Sequence, residues 1–303
     1  MAESKTNTAA SVHQRLLNKA KENARPFNEL LQHYASERFI FRLSRSPYAD
    51  RFILKGALML SAWSGPESRP TMDIDLLGRI DNSLSVIKGV MKEICEFAVK
   101  DDGMTFDAET VTATRIVEIA DYEGVRVRFR GNLGNARVSL QVDIGFGDIV
   151  VPRPRKVAYP VLLDFPAPEL NGYTMESTIA EKFHAMVRLG VLNSRLKDFY
   201  DIWMLSRAFD FDGELLAEAV QKTFDARNTP INADPVVFDT SFAKDADKHI
   251  QWQGFISKVR IAGAPETFEE VATAIKAFLE PLSVAMAKRQ IFSKTWVAPG
   301  PWA

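Results

Sequence analysis

Two aspartates separated by one residue, inside an otherwise apolar stretch, constrain this chain more than any other feature of its sequence. The stretch reads TMDIDLLGR and carries Asp73 and Asp75. In a β-strand alternate side chains project to one face, so both carboxylates are expected on the same side of a sheet. Like charges that close repel each other, and a buried pair is costly unless a positive charge lies between them. The fold must therefore bring a positive charge to this strand.

A third carboxylate lies in the clearest β-hairpin pattern of the chain. In GVRVRFRGNLGNARVSLQVDIGFGD, apolar and polar residues alternate on both sides of turn residues 132–135, which predicts two antiparallel strands. Asp143 falls on the second strand. The first strand presents Arg126, Arg128 and Arg130 on one face, and two interpretations stay open for them: a solvated face of the hairpin, or a strip that follows phosphates.

The three carboxylates predict a metal site if their strands are neighbours. Asp73, Asp75 and Asp143 would then form a hard, all-oxygen cluster, which suits Mg²⁺ or Mn²⁺. Two such ions would stabilise the attacking and leaving oxygens of an in-line phosphoryl transfer. The positive charge that the paired aspartates require is therefore predicted to be metal.

A strand-to-helix turn precedes the paired aspartates. RFILKG predicts a short strand, and ALMLSAWS predicts a helix that begins directly after Gly56. A residue without a Cβ lets backbone N–H groups approach a phosphate, and a helix N-terminus favours an anion. The order of glycine turn, paired aspartates and separate aspartate indicates chemistry on a nucleotide phosphate.

The whole pattern predicts an α+β chain, with a mixed sheet flanked by helices and followed by a mostly helical C-terminal part. A chain of 303 residues is long for one core. The predicted parts are an N-terminal helical segment at 1–45, a catalytic core at 46–170 and a mostly helical domain at 171–303. Helical spacing is clear in MESTIAEKFHAMVRLGVL and LKDFYDIWMLSRAF.

Four local features of the second half carry weaker predictions. PVLLDF, at 160–165, is predicted as an edge strand within a proline-rich connector, and the last long helix is predicted to break at Pro281. The basic cluster of Arg153, Arg155 and Lys156 is interpreted as a plain loop. The tail SKTWVAPGPWA is expected to pack on the body or on a partner.

Composition and charge narrow the function classes. The formal net charge is −1, so no global basicity indicates nucleic acid or membrane, and any such contact must use a local patch. A single cysteine, Cys95, allows no disulfide within the chain and fits the reducing cytoplasm. We find neither a signal peptide nor an apolar run near the roughly 20 residues that span a bilayer, so a cytoplasmic protein without a membrane partner is expected. The four histidines are scattered and are predicted to lie at the surface or at helix caps.

These parts resemble the minimal nucleotidyltransferase fold of the polymerase-beta type. More closely, the chain resembles the AbiEii/AbiGii nucleotidyltransferase toxins of bacterial abortive-infection and toxin–antitoxin systems. Five blocks carry the resemblance, from about residue 50 to residue 208: FILKGALML, TMDIDLL, QVDIGFGD, STIAEKFHAMVRLG and SRLKDFYDIW.

The resemblance implies catalytic roles for particular residues. Asp73 and Asp75 match the metal-binding pair of the family, and Asp143 matches its third carboxylate, a base or metal ligand for the incoming hydroxyl. Lys182 and Asp198 match a conserved lysine and a conserved aspartate. The resemblance thus implies that all five residues are catalytic. It also implies that Asp73, Asp75 and Asp143 are the metal ligands.

The resemblance also implies a nucleotide-binding set. Three of its members form the glycine turn and two lie in the helical blocks. They are Lys55, Gly56, Ala57, Lys182 and Lys197. The family usually has Gly or Ser at the position of Ala57. Fifteen residues separate Ala57 from Asp73, and the loop SGPESRP accommodates this extra length.

The leading interpretation is a metal-dependent nucleotidyltransferase that moves an NMP from an NTP to an acceptor and releases pyrophosphate. What the resemblance implies for partners is Mg²⁺ or Mn²⁺, an RNA acceptor such as the 3′ end of tRNA, and a cognate antitoxin. Two alternatives stay open. One is a nucleotidyltransferase that acts on a protein or a small molecule, and the other is a non-catalytic nucleotide-binding module that retains the fold.

Overall fold

The computed structural model describes residues 7–64, 71–117, 123–259 and 263–303. Its contacts divide the chain into two compact units. The first comprises Met1–Gly147 with Arg155–Gly172, and the second comprises Asp148–Pro154 with Tyr173–Ala303. Most of the predicted loop SGPESRP, residues 65–70, lies outside the described residues.

The first unit contains a seven-stranded mixed sheet in the order β3-β4-β5-β2-β1-β7-β6. Strand β2 is parallel to β5, β1 is parallel to β7, and the other neighbours are antiparallel. The strands are β1 (Phe52–Lys55), β2 (Asp73–Gly78), β3 (Met104–Val117), β4 (Glu123–Leu133), β5 (Ala136–Phe146), β6 (Arg155–Ala158) and β7 (Glu169–Gly172).

Four described helices of the first unit accompany this sheet, and α2 covers one of its faces. They are α1 (Thr8–Glu22), α2 (Phe27–Arg45), α3 (Ala57–Ser64) and α4 (Leu84–Glu96). The ring of Phe39 on α2 lies 4.7 Å from that of Phe129 on β4 and 5.6 Å from that of Phe106 on β3. Because Phe129 alternates along β4 with Arg126 and Arg128, α2 covers the face opposite to these arginines.

The longest strand, β3, has no counterpart among the sequence predictions. Its residues include many threonines and acidic side chains, and its pairing with β4 shifts register between Asp107 and Thr112. A bulge interrupts the period-two alternation on which strand prediction depends. The tertiary pairing with β4 therefore defines this strand more than its own hydrophobic pattern does.

The second unit is mostly helical. Its helices are α5 (Met175–Leu189), α6 (Leu196–Ala208), α7 (Gly213–Ala226), α8 (Thr240–Ala243), α9 (Ala246–Val259) and α10 (Phe268–Ala287). Two short antiparallel strands, β8 (Phe211–Asp212) and β9 (Thr295–Trp296), join the C-terminal tail to this unit. The fold prediction, a mixed sheet with flanking helices followed by a mostly helical C-terminal part, is confirmed. The boundaries predicted for three domains remain a prediction.

Three local predictions are wrong. The short edge strand is β6 and not PVLLDF, since residues 160–165 form bends and irregular structure. Arg155 and Lys156 lie on β6, so the basic cluster is not simply a loop. Helix α10 continues through Pro281, because the buried side chains of Phe278 and Leu282 anchor the helix on both sides of the proline.

His184 also departs from its prediction as a surface or capping residue. Its side chain is buried on α5, where Nε2 lies 2.9 Å from Thr229 Oγ1 and Nδ1 lies 3.2 Å from Arg227 Nη1. Burial, together with the nearby charges of Arg227 and Arg188, lowers the pKa of His184 to about 4. The imidazole is therefore neutral at pH 7 and serves packing and hydrogen bonding.

Within the described ranges, no helix combines the length and the hydropathy that a membrane span requires.

Candidate functional site

The sheet brings the predicted carboxylates of the first unit together. Strand β2 pairs with β5 in parallel, and the register places Asp75 beside Asp143 and Asp73 beside Gln141. Side chains of register partners project to the same face of a sheet, and residues two apart share that face. Asp73 is exposed, whereas Asp75 and Asp143 are half-buried. All three carboxylates therefore belong to one face, the face that α2 does not cover.

The glycine turn lies directly against this face. Strand β1 ends at Lys55, which is the antiparallel register partner of Asp75, and α3 begins at Ala57. Gly56 between them has a φ of +69°, a left-handed conformation that favours glycine. A Cβ at this position would lie 2.0 Å from Asp75 Oδ2. Both the backbone conformation and the close carboxylate therefore require glycine here.

One cation observed among the carboxylates is an arginine. Arg126 on β4 donates two hydrogen bonds to Asp143, from Nε to Oδ1 at 2.8 Å and from Nη2 to Oδ2 at 2.7 Å. These hydrogen bonds raise the pKa of Arg126 above its usual value, and the negative charges of Asp143, Asp73 and Asp75 add to this effect against partial desolvation. Arg126 is thus within electrostatic reach of all three carboxylates.

Sequence reasoning did not assign Arg126 to the site, although it contained a usable signal. The alternation of arginines on β4 left open a solvated face or a phosphate strip, and the hairpin register now pairs Arg126 with Asp143 and Arg128 with Gln141. Gln141 in turn donates to Asp143 Oδ2 at 3.3 Å. A hairpin whose two strands carry opposite charges on one face predicts such cross-strand pairs.

The donor set fits a divalent cation only in part. Asp73 and Asp75 offer the carboxylate oxygens that Mg²⁺ and Mn²⁺ prefer. Both oxygens of Asp143, however, accept hydrogen bonds from Arg126. Among the residues that the structure describes, no three His, Cys, Asp or Glu side chains are grouped as a metal site. The metal role of Asp143 therefore stays a prediction.

The remaining catalytic candidates form an ion cluster within the second unit. Lys182 on α5 lies 2.7 Å from Asp198 Oδ1 and 2.8 Å from Asp201 Oδ2, both on α6. Arg195 Nε lies 2.7 Å from Asp198 Oδ2. The side chains of Asp198 and Asp201 are 1% and 0% exposed. Lys197, by contrast, is exposed on α6.

The charges of this cluster keep Asp198 ionised. Burial by itself would raise the pKa of Asp198, but the charges of Lys182 and Arg195 and the hydrogen bond from Lys182 hold it below the usual value. Asp201 and Arg195 were not among the predicted site residues. The i, i+3 spacing of Asp198 and Asp201 on one helix face was the available signal.

The candidate residues thus fall into two sets. Asp73, Asp75, Asp143 and the glycine turn belong to the first unit, and Lys182 and Asp198 belong to the second. That all five residues are catalytic, as the resemblance implies, stays a prediction.

Comparison with known proteins gives a family match and similar solved structures, two of which are described below. A model of the family described as nucleotidyl transferase AbiEii toxin, type IV toxin–antitoxin system, matches residues 38–274, well over half of the chain. No curated protein is significantly similar to the chain.

The two structures described here both come from Helicobacter pylori. One is the crystal structure of a provisionally assigned nucleotidyltransferase, with 14% identity and a TM-score of 0.43, covering 86% of this chain and 95% of that chain. The other is the crystal structure of JHP933, with 14% identity and a TM-score of 0.45, covering 86% of this chain and 92% of that chain. At these TM-scores neither likeness bears on the residues of the site.

Proposed function

The chain belongs to the AbiEii family of nucleotidyl transferase toxins of type IV toxin–antitoxin systems, and from that membership we propose an NTP-dependent transfer reaction. The protein would move a nucleoside monophosphate from an NTP to an acceptor hydroxyl. The acceptor oxygen forms a bond to the α-phosphorus as the bond to the pyrophosphate oxygen breaks, and pyrophosphate leaves. The observation that carries this proposal is the shared face of Asp73, Asp75 and Asp143 next to the Gly56 turn.

The glycine turn is proposed to bind the triphosphate. Helix α3 begins at Ala57, so its first backbone N–H groups lack partners within the helix and can donate to phosphate oxygens. The absence of a side chain at Gly56 leaves the backbone open to a close approach. Lys55 precedes the turn and Ala57 follows it, so both are proposed to shape this phosphate site.

Asp73 and Asp75 are proposed to hold a divalent cation, Mg²⁺ or Mn²⁺. Bound there, the cation would supply charge neutralisation for the triphosphate, which is the largest requirement of phosphoryl transfer. The chain itself contributes the placement of both oxygens on one sheet face and the first turn of α3 beside them.

Asp143 and Arg126 are proposed to act together at the acceptor. While both oxygens of Asp143 accept from Arg126, fewer of their lone pairs are open to the proton of an attacking hydroxyl. The guanidinium of Arg126 also lies on the face that carries the carboxylates, and planar guanidinium groups bind phosphate oxygens well. We propose that Arg126 turns to the triphosphate when the NTP binds, which frees Asp143 to act as the base.

Lys182 and Asp198 are proposed to support the reaction from the helical unit. The charge of Lys182 is already balanced by two buried carboxylates, so its main contribution would be to fix α5 against α6. Lys197 is exposed and is not part of this ion cluster. It is proposed to contact phosphate.

The acceptor and the regulatory partner are proposed from the family alone. An RNA acceptor such as the 3′ end of tRNA and a cognate antitoxin fit a toxin of a type IV system, and both would place the protein in the cytoplasm. One observation favours the alternative of a non-catalytic nucleotide-binding module, because Arg126 occupies the third carboxylate. An activity measurement separates the two functions.

The test is transfer of label from each of the four α-³²P-labelled NTPs to total RNA or to a protein extract. Wild type, Asp73→Asn and the exposed control Asp247→Asn are compared with Mg²⁺, with Mn²⁺ and with EDTA. We expect labelled RNA with wild type and the control, and a loss of at least about a hundredfold with Asp73→Asn, because charge neutralisation supplies most of the catalysis.

Thermal melting on the same proteins separates binding from chemistry. Mg²⁺ with an NTP should raise the melting temperature of wild type and of Asp247→Asn, and should leave Asp73→Asn nearly unchanged. A ligand-induced rise without any transfer would support the non-catalytic module. Full transfer activity in Asp73→Asn would exclude the proposed mechanism.

A further inference from the structure

A cavity of about 760 Å³ opens in the first unit on the side of α2. Its wall includes the C-terminal half of α2, the segment that follows α4, strand β6 and the segment before β7. Helix α2 covers the sheet face opposite to Arg126 and the carboxylates. The cavity is therefore not the site proposed for the triphosphate, and its volume lies in the usual range for a small-molecule site.

Positive charge is concentrated around this cavity although the whole chain carries a formal net charge of −1. Arg45, Lys100 and Lys156 are exposed at its wall. Of its two acidic residues, Asp102 is neutralised by hydrogen bonds of 2.8 and 3.0 Å from Arg42, whereas Glu169 is exposed. The wall thus presents an excess of cations to an anion of modest size.

Three half-buried phenylalanines also line the cavity: Phe41, Phe97 and Phe165. The guanidinium carbon of Arg38 lies 4.9 Å from the ring centroid of Phe41 and 5.6 Å from that of Phe165. Cation–π contacts of this length hold both rings in place before any ligand arrives. The cavity therefore offers fixed aromatic surface next to exposed cations.

A buried polar atom lies in the same wall. The Arg38 side chain is 1% exposed, and its Nη2 donates to the carbonyl of Pro166 at 3.0 Å and pairs with Glu37 at 2.7 Å. Its Nε has no hydrogen-bond partner within the part of the chain that the structure describes. Leaving a buried donor unsatisfied costs free energy, and the contacts of Arg38 with Pro166 and Glu37 must offset that cost.

We infer that this cavity is a second nucleotide-recognition site, which takes one planar base against the phenylalanines and its phosphate against Lys100 and Lys156. Aromatic rings that stack on bases beside cations that contact phosphates are the usual means of binding single nucleotide units. The unit can come from a free nucleotide or from the end of an RNA strand. The inference rests on the cavity alone and holds whether or not the proposed transfer reaction does.

Binding is measured on the full chain in EDTA, so that metal-dependent nucleotide binding at Asp73 and Asp75 does not contribute to the signal. The probes are AMP in calorimetry and a single-stranded oligoadenylate in fluorescence anisotropy. The double variant Lys100→Ala with Lys156→Ala is compared with the control Lys21→Ala with Lys88→Ala, which removes two exposed charges elsewhere in the first unit. We expect the first pair to weaken binding at least about tenfold, and the control to change it less than about twofold.

A second pair of measurements tests the aromatic half of the site. Phe97→Leu keeps an apolar side chain of similar size, and we expect it to weaken AMP binding roughly tenfold through lost stacking. Ribose 5-phosphate carries the phosphate without the base and should bind more weakly than AMP by a similar factor. Binding of AMP identifies a free nucleotide as sufficient, whereas binding of oligoadenylate alone identifies an RNA strand as the source.

Several results would overturn the inference. They are equal binding of AMP and ribose 5-phosphate, equal loss in the two double-lysine variants, displacement of the nucleotide by an acidic peptide at equal concentration, or no binding of either probe. Asp73→Asn should bind both probes as wild type does. A loss of binding in Asp73→Asn would assign the signal to the carboxylate face and not to the cavity.

Discussion

Arg126 and Asp143 form two hydrogen bonds across neighbouring strands, and this pair governs what the carboxylate face can bind. Arg126 is about one-third exposed and Asp143 is 15% exposed, so the pair is accessible to a ligand and is not locked in the core. A bidentate pair of this kind is stronger than an ordinary surface ion pair. The guanidinium of Arg126 reduces the repulsion among the carboxylates. It therefore also competes with a metal cation for Asp143.

Arg126→Gln should separate these two effects of the guanidinium. In EDTA we expect the free energy of unfolding to fall by about 1 kcal/mol, because Asp143 then loses the guanidinium that offsets its repulsion from Asp75. Added Mg²⁺ should raise the melting temperature of Arg126→Gln more than that of wild type. Arg128→Gln is the control, since Arg128 lies on the same strand face and bonds Gln141. Equal Mg²⁺ responses in the two variants would contradict the competition between arginine and cation.

Gly56→Ala should disrupt the turn that the triphosphate site requires. The φ of +69° and the approach of Asp75 both oppose a side chain, and we expect a loss of about 2 kcal/mol or more in urea unfolding. Gly89→Ala on α4 is the matched control, since a Cβ there meets nothing within 4 Å. It should leave stability unchanged or raise it by up to about 1 kcal/mol. If the two substitutions had equal effects, the turn would not be strained as described.

At the scale of elements, a buried ion cluster joins α5 to α6. Lys182 reaches two carboxylates on the neighbouring helix, and both carboxylates are almost fully removed from solvent. Desolvating these charges is costly, so the cluster adds little net stability while it is complete. Its geometry instead fixes the position of one helix relative to the other, because all partners must be satisfied together.

Lys182→Met should destabilise the protein strongly. A purely catalytic role for Lys182, as the resemblance implies, would leave stability unchanged on its loss, but the burial of Asp198 and Asp201 predicts otherwise. Removal of their shared cation leaves Arg195 against two buried carboxylates, and we expect a loss of about 3 to 5 kcal/mol in chemical denaturation. Lys197→Met, at the exposed residue next to Asp198 on α6, should change stability by less than about 0.5 kcal/mol. Similar stabilities of the two variants would mean that the cluster is solvated.

At the scale of the whole molecule, the chain completes its helical unit with its last residues. Trp296 and Trp302 are both buried, and their indole N–H groups donate to the carbonyls of Ser206 at 2.6 Å and Phe278 at 2.7 Å. The ring of Trp302 also stacks on Phe278, with centroids 5.5 Å apart. Of the two expectations for this tail, packing on the body is what the structure shows.

Trp302→Ala should therefore cost as much as a core substitution, although Trp302 is the penultimate described residue. We expect a loss of about 3 to 5 kcal/mol in unfolding free energy, from the cavity and from the unpaired carbonyl of Phe278. Val297→Ala in the same tail is the control, since Val297 is 55% exposed and should cost less than about 0.5 kcal/mol. A loss below about 1 kcal/mol for Trp302→Ala would show that the tail is not part of the core.

The sequence by itself determined the features that depend on neighbours along the chain. The period-two alternation placed Asp143 on a strand, the spacing of Asp73 and Asp75 placed them on one face, and Gly56 marked a strand-to-helix turn. Family membership followed from the order of these blocks and agrees with the match over residues 38–274.

Only the tertiary structure decided which distant segments meet. Strand β2 lies parallel to β5 in the register that sets Asp75 beside Asp143, and a strand with a bulge, β3, extends the same sheet. It also decided that Arg126 holds Asp143 and that Lys182 lies between two buried carboxylates. The physical reason is that periodicity reports which face a residue shares, whereas charge pairing and burial depend on partners contributed by other elements. Those partners are fixed by strand register and helix packing, which no local pattern encodes.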